Sequence, residues 1–354
     1  MINKKVVYIF SIIYFIMLIL FLSFSAIKQD FLWLDPIKGV EKSKLNPIFS
    51  YISNEGNVIG GYYTYKDAIF LGTLYNNQKV NKLESLGGLE SCIFKGSENN
   101  LLVGWSSDET GKTIPVSWDN SGKITKLMNY EGKALSISYN GKYIAGWYYN
   151  ELDEFKPFIY DTNQKDFKEI NKLTFGNYQE SYTNGINDNE NLCGYLLGNK
   201  DSTIPFVYIN EKVIVPSGVR EGRFYQISNN DIAVGYITNK NNDKSNAVIF
   251  ENNNIKNIFD DNVKSIAYSI SKDGKVVVGY FADPNDNDYE KPFLYVNNKV
   301  IDIEKEFKTY LDQNSFLVEA QGVSPNGNYI VGIGYNSKNY SYQVFIANVS
   351  KFVK

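Results

Sequence analysis

The sequence predicts an all-β protein, a seven-bladed β-propeller of four-stranded antiparallel blades, and two observations support that fold class. A phrase with a small polar residue, a tight turn, apolar residues, a glycine and an aromatic recurs seven times in 354 residues. The composition includes 28 Tyr and 22 Phe but only 9 Pro, which favours strands. Recurrent units of this kind stack on one another because a single unit cannot bury its own faces.

The seven copies align on the glycine near the end of the second strand of each unit. These glycines are Gly61, Gly104, Gly146, Gly194, Gly235, Gly279 and Gly332, with spacings of 43, 42, 48, 41, 44 and 53 residues. A period of about 40–45 residues accommodates four short strands and their turns. We expect the glycines to admit close approach by neighbouring backbone or by large aromatic side chains. The aromatics that follow them are expected to pack between blades, with sugar stacking as the alternative.

The sixth copy shows the predicted strands in order. They are "AYSIS" (267–271), "KVVVGYF" (275–281), "PFLYV" (292–296) and "KVIDI" (299–303). Lys272-Asp273-Gly274 joins the first two strands and Asn297-Asn298 the last two, both with typical turn chemistry. A longer polar loop separates the second and third strands. Closing seven such meanders into a ring would bury their faces.

The two longest intervals and the truncated last copy complete the ring prediction. An extended connection over 171–180 and a short amphipathic helix over 302–314 would both lie between a fourth and a first strand. The last copy ends soon after its third strand. We therefore predict that Phe31–Leu34 supplies the missing strand beside Gln343–Ala347, because a ring must close.

The N-terminal segment is predicted to be a separate element, with residues 1–27 as a signal anchor or signal peptide and 28–354 as the propeller. Lys4 and Lys5 precede the uncharged run from Val6 to Ile27, whose 22 residues would span roughly 33 Å as a helix. Cleavage after Ser25 is the alternative to an uncleaved membrane anchor. Both predict an extracytoplasmic propeller, attached to the cell membrane or secreted.

Composition restricts the chemistry. The net charge of −3 gives no basic field, so no nucleic-acid partner is expected. The chain has no histidine, and its two cysteines, Cys92 and Cys193, lie far apart without a CxxC motif. We therefore expect two buried free thiols, no metal site, no cofactor and a monomer.

The repeat resembles a known family. The pattern Ser-x-(Asp/Asn)-Gly, three apolar residues, Gly and an aromatic, then a Pro/Ala-Phe-x-aromatic strand, is similar to the HAF-type extracellular repeat of bacterial proteins. The Ser324–Gly327 turn is also similar, more distantly, to repeats of the Tol-system periplasmic propeller. The resemblance covers residues 48–348 and implies an extracytoplasmic location without a defined activity. It departs from the family at the histidine, since Pro157, Pro205, Ala247 and Pro292 occupy that neighbourhood.

Four residues are the predicted ligand site, on the mouth of the ring that carries the long connections. Arg220 and Arg223 are the only arginines and lie on the predicted connection into the fifth blade. Guanidinium groups bind carboxylates and phosphates bidentately, although two solvated loop charges are the simpler reading. Tyr148 and Tyr149 are the predicted stacking partners. The acidic loop over 283–290 lacks the glycine and the glutamate of a calcium loop, so a solvated polar loop is expected.

These observations favour a non-catalytic binding module that recognises a protein, peptide or glycan on its loop-rich mouth. The alternative is a glycan hydrolase or lyase that uses carboxylates and tyrosine. Without histidine or an Asp-box, the sequence favours binding over catalysis, and the fold does not decide between them.

Overall fold

The computed structural model describes residues 30–353 except 67, 171, 172, 174–179, 200, 201, 240–242, 285, 287 and 288. The hydrophobic helix predicted within residues 1–27 and most of the predicted 171–180 connection lie outside the described residues. Within the described ranges, no helix is both long enough and apolar enough to cross a bilayer.

Seven four-stranded antiparallel sheets confirm the predicted ring. The first strand of the chain is β1 (Phe31–Trp33), which belongs to the last blade. Blade 1 contains β2 (Leu45–Ile52), β3 (Val58–Tyr65), β4 (Ile69–Asn76) and β5 (Lys79–Asn81). Blade 2 contains β6 (Gly87–Gly96), β7 (Leu102–Asp108), β8 (Thr113–Trp118) and β9 (Ile124–Lys126). Blade 3 contains β10 (Gly132–Ile137), β11 (Tyr143–Tyr149), β12 (Phe155–Asp161) and β13 (Asp166–Glu169).

The remaining blades repeat this order. Blade 4 contains β14 (Glu180–Ile186), β15 (Leu192–Leu197), β16 (Thr203–Ile209) and β17 (Lys212–Ile214). Blade 5 contains β18 (Val219–Ile227), β19 (Ala233–Asn239), β20 (Asn246–Glu251) and β21 (Asn254–Asn257). Blade 6 contains β22 (Ser265–Ile270), β23 (Val276–Asp283), β24 (Tyr289–Val296) and β25 (Lys299–Asp302). Blade 7 contains β26 (Phe316–Val323), β27 (Tyr329–Asn336), β28 (Ser341–Asn348) and β1.

Blade 7 is built from both ends of the described chain. Phe31 lies opposite Ala347 and Trp33 opposite Phe345, so β1 is the outermost strand beside β28. The amide of Leu34 continues the pairing by donating to Val344 O at 2.8 Å. Phe31 and Leu34 are buried. The sequence placed Phe31–Leu34 at this position because the last repeat lacked a fourth strand.

Seven apolar clusters hold the ring together, and each lies between two successive blades. The cluster between blades 4 and 5, for example, joins Val207 to Phe224 and Val248. The cluster between blades 7 and 1 joins Val344 to Phe49 and Tyr75, which closes the circle. Burial is therefore a property of neighbouring blades, as stacked repeat units require.

The recurrent small polar residue has a structural role in the turn between first and second strands. Ser271 is fully buried, and its hydroxyl accepts from Val276 N at 3.0 Å and donates to Asp273 at 2.6 Å. Ser138 makes the same pair of contacts with Tyr143 N and Asn140. In blade 4 the buried side chain of Asn187 takes this place and accepts from Asn189 N and Asn191 N, so the position requires a short polar side chain that bonds to the turn backbone.

The two faces of the ring carry different connections because successive antiparallel strands alternate in direction. We call the side with the first-to-second and third-to-fourth strand turns the turn face. The side with the second-to-third and fourth-to-first connections is the loop face. The helix predicted over 302–314 lies on the loop face but is shorter than expected. It consists of α1 (Ile303–Glu306) and a 3-10 turn over Lys308–Tyr310. A last short helix, α2 (Ser350–Val353), ends the described chain.

Candidate functional site

The inner strand of every blade contains a β-bulge at the same position. In blade 3 the pairing with β11 shifts between Ala134 and Ser136, which leaves Leu135 as the extra residue. Equivalent register shifts occur in the other six blades. A bulge turns an additional side chain out of the ladder, and here it turns that side chain toward the axis of the ring.

The repeated glycine makes this bulge possible. A Cβ on Gly104 would stand 1.7 Å from Cys92 O, and one on Gly194 would stand 1.8 Å from Tyr182 O. In both blades the carbonyl belongs to the inner strand just before the bulge. The expected close approach is therefore an approach of backbone, and only glycine leaves room for it.

The seven bulge residues line a cavity of about 360 Å³ on the axis, which we call the channel. They are Ser50, Phe94, Leu135, Asn184, Tyr225, Tyr268 and Gln321. Ile48, Lys95 and Glu319 complete the lining. Each blade thus contributes one side chain at the same level, and their chemistry differs from blade to blade.

The floor of the channel is a polar cluster just below the bulge residues. Tyr139 from blade 3 crosses the axis and donates its hydroxyl hydrogen to Ile270 O of blade 6 at 2.9 Å. The amide nitrogen of Gln226 donates to the same hydroxyl at 3.0 Å, while its oxygen accepts from Ser269 at 2.7 Å. Lys95 Nζ donates to that oxygen at 3.3 Å. These contacts close the channel on the side of the turn face.

A second layer of contacts seals the turn face below Tyr139. Lys272 Nζ lies 2.7 Å from Glu98 and 3.8 Å from Asp188, which joins blades 6, 2 and 4. Hydrogen bonds of 2.8–3.1 Å link the blades in a circle: Tyr51 Oη to Ser97 O, Glu98 N to Tyr139 O, Asn140 N to Asp188 Oδ1, Asp188 N to Asn229 Oδ1, Asn229 N to Lys272 O, Lys272 N to Pro325 O and Asn326 N to Asn54 Oδ1. The channel is therefore a blind pit that opens on the loop face.

Four ionisable groups line the channel, Lys95, Tyr225, Tyr268 and Glu319, and all four have shifted pKa values. Burial lowers the pKa of Lys95 to about 8, since the half-buried ammonium loses part of its hydration in the channel. Burial raises the pKa of the Glu319 carboxyl, although hydrogen bonds from Gln321 and Tyr268 partly oppose that shift. Among the described residues, no carboxylate lies within 4 Å of Lys95 Nζ as an ion-pair partner. Its hydrogen-bond partner is the side-chain oxygen of Gln226.

The loop face carries most of the exposed apolar surface. The described residues include twelve exposed large hydrophobic side chains, and ten of them lie on the loop face or at the mouth of the channel. These ten are Ile48, Ile69, Leu89, Tyr149, Leu152, Tyr289, Tyr310, Phe316, Tyr340 and Tyr342. The other two, Val80 and Val300, lie on outermost strands. The ten side chains are distributed over the connections and strand ends of several blades, so the two faces of the ring differ in their exposed apolar residues.

Arg220 and Arg223 both lie on β18, so their predicted place on a connection between blades is corrected to the inner strand of blade 5. Arg220 is exposed and forms an ion pair with Asp243 at 2.6 Å. The guanidinium carbon of Arg223 lies 4.4 Å from the centre of the Tyr195 ring, a cation–π contact with blade 4. The two arginines therefore have different partners and do not form one anion-binding pair.

Tyr148 and Tyr149 have opposite surroundings. Tyr148 is only 2% exposed, packs on Tyr130 and Phe167, and donates a hydrogen bond to Glu169. Its predicted role in stacking on a ligand is therefore corrected to packing within blade 3. Tyr149 is 38% exposed and remains accessible on the loop face.

Tyr149 and Arg223 lie at the two ends of one row of aromatic rings, which we call the aromatic ledge. From Tyr149 the ledge runs through Phe155 at 6.1 Å, Tyr182 at 5.2 Å and Tyr195 at 4.8 Å between ring centres. Trp147 packs against the same rings. Of the aromatics that follow the repeated glycines, Trp147 packs on Tyr182 of the next blade as expected, whereas Tyr195 stacks on Tyr182 of its own blade. The ledge also borders the channel, since Tyr182 and Arg223 precede Asn184 and Tyr225 on the same strands.

The other predicted features have structural outcomes of their own. Cys92 and Cys193 are free and buried, as expected. In the acidic loop over 283–290, Asp283 and Asp286 both pair with Lys291, at 3.0 and 2.7 Å. Within the described parts of the chain, no three His, Cys, Asp or Glu side chains form a group suited to a metal ion.

Sequence reasoning did not single out the channel residues. Their signal is nevertheless present in the repeat, because each bulge residue stands three positions before the small polar residue of the turn. Lys95 stands two positions before Ser97, where other blades have Ser136, Ser269 or Gly185. Lys95 could have been identified from the sequence, because it is a charged residue at a repeat position where the other blades have small or neutral residues.

The fold and its axial pit place the chain among seven-bladed β-propellers with one open mouth. The chain matches no protein-family model and no curated protein sequence. It is similar in structure to an oligogalacturonate lyase from Vibrio parahaemolyticus, with a TM-score of 0.54 and 9% identity. That match covers 92% of this chain and 98% of the lyase.

Two further solved structures are similar. The β-propeller domain of the Trilobed protease from Pyrococcus furiosus has a TM-score of 0.58 and 10% identity, with 86% of this chain and 96% of the domain covered. A puromycin-hydrolyzing peptidase from Mycobacterium tuberculosis has a TM-score of 0.59 and 12% identity over 90% of this chain. The match spans about half of that peptidase, 53%. At such low identity these likenesses establish the fold alone.

Proposed function

We propose that this chain is an extracytoplasmic, non-catalytic binding propeller that holds its partner on the loop face, over the mouth of the channel. The observation that carries the proposal is the asymmetry of the ring. One end of the axis is sealed by hydrogen bonds and an ion-pair cluster, while the other opens among ten exposed hydrophobic side chains. Such a pit with a few polar groups among aromatic walls is typical of a binding site.

The state of the polar groups supports binding over catalysis. Burial raises the pKa of Tyr225 and Tyr268, so neither phenol loses its proton near neutral pH. Glu319 is held by Tyr268 and Gln321, with the Gln321 amide donating at 2.7 Å. These groups are fixed in position, as the recognition of a preferred partner requires.

The test uses the full-length chain and the envelope fraction of its own cells. Leu152→Asp and Tyr340→Asp place charges on exposed loop-face positions, and Val80→Asp and Val300→Asp are matched controls on outermost strands. We expect the loop-face variants to weaken binding by about tenfold or more and the controls to leave it unchanged. Equal loss in both sets, with intact melting curves, would contradict the proposed face.

The two arginines allow a finer test with an acidic partner. Arg223→Ala should weaken binding by about 1–3 kcal/mol, because its guanidinium lies partly desolvated on Tyr195 beside the channel. Arg220→Ala should change binding by less than about 1 kcal/mol, since that side chain is exposed and already paired with Asp243. Isothermal titration of both variants measures the difference. An Arg220 effect larger than the Arg223 effect would reverse this ranking.

The location is proposed from Lys4, Lys5 and the Val6–Ile27 run, together with the HAF-type pattern. The propeller would then face outward, anchored to the membrane or secreted after cleavage. Protease added to intact spheroplasts should digest the propeller, and full protection would refute the orientation. The mass of the mature protein distinguishes anchor from signal peptide.

A glycan lyase or hydrolase is the second candidate. It is favoured by Lys95, Tyr268 and Glu319 lining one cavity, since an amine with a pKa of about 8 can accept a proton near neutral pH. The structural likeness to an oligogalacturonate lyase motivates the choice of substrate. Incubation with oligogalacturonate, followed by absorbance of unsaturated products, separates turnover from binding. Product release that Lys95→Met abolishes would favour the enzyme.

A further inference from the structure

Lys95 is the least satisfied charged group of the channel. Its ammonium has three hydrogens to donate, and among the described residues it has one acceptor, Gln226 Oε1 at 3.3 Å. Phe94, Leu135 and Tyr225 line the same cavity and give its upper wall an apolar character. A half-buried ammonium without a carboxylate partner is costly, and an anionic ligand would reduce that cost.

The rest of the lining suits hydroxyl groups and a ring. Asn184, Gln321 and Glu319 place amide and carboxylate groups on the wall, and Tyr225 and Tyr268 line it as an edge-to-face pair of rings with centres 5.5 Å apart. Sugar rings bind in this way, with C–H faces on aromatic side chains and hydroxyls on amides and carboxylates. The volume of about 360 Å³ lies near the lower end of the roughly 300–1,000 Å³ range of small-molecule sites.

We propose that the channel binds a uronic acid residue, with its carboxylate on Lys95 at the floor and its hydroxyls on Asn184, Gln321 and Glu319. The proposal rests on the proposed binding function of the loop face, because the ligand enters from that side. The same chemistry occurs in a free uronic acid and in the last residue of a uronate chain. Tyr139 closes the channel on the side of the turn face, so a uronate chain can enter it only by inserting one of its ends.

The pH dependence of binding follows from the groups that face Lys95. These are the Cys193 thiol, the phenols of Tyr139, Tyr225 and Tyr268, and the Glu319 carboxyl, with Glu98, Asp188 and Lys272 beyond Tyr139. Burial raises the pKa of the thiol and of all three phenols, so they stay protonated in this range. Lys95 is then the group that loses its charge near pH 8. Uronate binding should weaken as the pH rises from 7 to 9.

Calorimetric titration of the full-length chain tests the assignment. The probes are D-glucuronate, D-glucose as its neutral match, N-acetylalanine as an unrelated carboxylate, and a uronate trisaccharide. We expect glucuronate to bind at least about tenfold more tightly than glucose and N-acetylalanine. Comparable affinity for glucose or for N-acetylalanine would overturn the uronate assignment. Tighter binding of the trisaccharide would identify the chain end as the source, and equal binding the free acid.

Three variants connect the binding to Lys95. Lys95→Met should weaken glucuronate by about tenfold or more, while Lys95→Arg should keep the charge and retain binding at pH 9. Lys126→Met, on the exposed outermost strand of the same blade, is the matched control and should change nothing. Unchanged glucuronate affinity in Lys95→Met, with a cooperative melting curve, would reject the site.

The outcomes separate this inference from the proposed function. If loop-face charges abolish envelope binding but glucuronate does not bind, the binding face stands and the uronate site falls. If glucuronate binds through Lys95 but the loop-face charges have no effect on envelope binding, the channel site stands and the proposed partner face falls.

Discussion

The two faces of this ring are made from the same seven repeats, yet one face bonds its polar groups between blades and the other exposes large apolar side chains. On the turn face, backbone and side-chain groups bond to the next blade, from Tyr51 and Ser97 around to Asn326 and Asn54. On the loop face, Leu152 is 77% exposed and Tyr340 is 79% exposed, and at the bottom of the open channel Lys95 bonds to Gln226 alone among the residues that the structure describes. The repeated short turns can satisfy each other because they are nearly identical. The connections of the loop face differ in length and sequence, so they leave surface available to a partner.

The largest expected effect comes from removing the strand that closes the ring and holds both faces in place. Deletion of residues 28–40 removes β1 and the buried side chains of Phe31 and Leu34, so we expect a loss of at least about 5 kcal/mol. Thermal unfolding should show a sharp fall in melting temperature. An unchanged melting curve would mean that the ring is held without this strand.

Next in size is the substitution of a repeated glycine. Gly104→Ala should cost about 3 kcal/mol or more, because the new Cβ would meet Cys92 O at 1.7 Å and displace the bulge. Gly111→Ala is the control on the loop face, where nothing lies within 4 Å and only its φ of +86° opposes a side chain. That control should cost about 1 kcal/mol. Denaturant titration measures both values, and equal costs would contradict the role of the bulge.

Lys95→Met should stabilise the ligand-free chain at pH 7 by about 1–3 kcal/mol. Burial lowers the pKa of Lys95 from 10.5 to about 8, so between those pH values the folded chain binds fewer protons than the unfolded chain. Charged Lys95 therefore destabilises the fold below pH 8, and the destabilisation disappears as the pH rises toward 10.5. Unfolding free energies of both chains at pH 7 and pH 10 should show the gain shrinking. A gain independent of pH would indicate that packing, not charge, is responsible.

The smallest expected effect lies in the ion-pair cluster that seals the turn face. Lys272→Met should cost about 0.5–1 kcal/mol, because the side chain is 35% exposed and solvent screens its pairing with Glu98. The hydrogen bond to Glu98 raises the pKa of Lys272, so its stabilisation persists below its ordinary value of 10.5 and fades above it. High salt should reduce the difference from the unmodified chain. Loss of glucuronate binding in this variant would show that the sealed and open ends are coupled.

The sequence predicted the architecture of this protein better than its candidate site. The glycine spacing, the turn phrase and the truncated last repeat predicted seven blades, and they placed Phe31 beside the last one. The four predicted site residues fared differently, since Tyr148 is buried, Arg220 is paired with Asp243, and Tyr149 and Arg223 end one aromatic ledge. Tyr148 is buried partly by Phe167, which lies two strands away in the same blade, and the alternation of a single strand does not reveal such a contact.

The sequence by itself determined the number of blades, the composition of their turns and the strand that closes the ring, because these follow from the count of the repeats, from the residues within each one and from the missing fourth strand of the last. Only the tertiary structure decided which side chains face the axis and which end of the channel is sealed. Tyr139 bonds to Ile270, and Lys272 pairs with Glu98, across 131 and 174 residues of chain. Such contacts exist only when the ring has closed, so the environment that lowers the pKa of Lys95 belongs to the assembled propeller. Each inner strand has a β-bulge at the same position. The backbone of the repeat is therefore the same in all seven blades, while the side chain that the bulge directs to the axis differs from blade to blade.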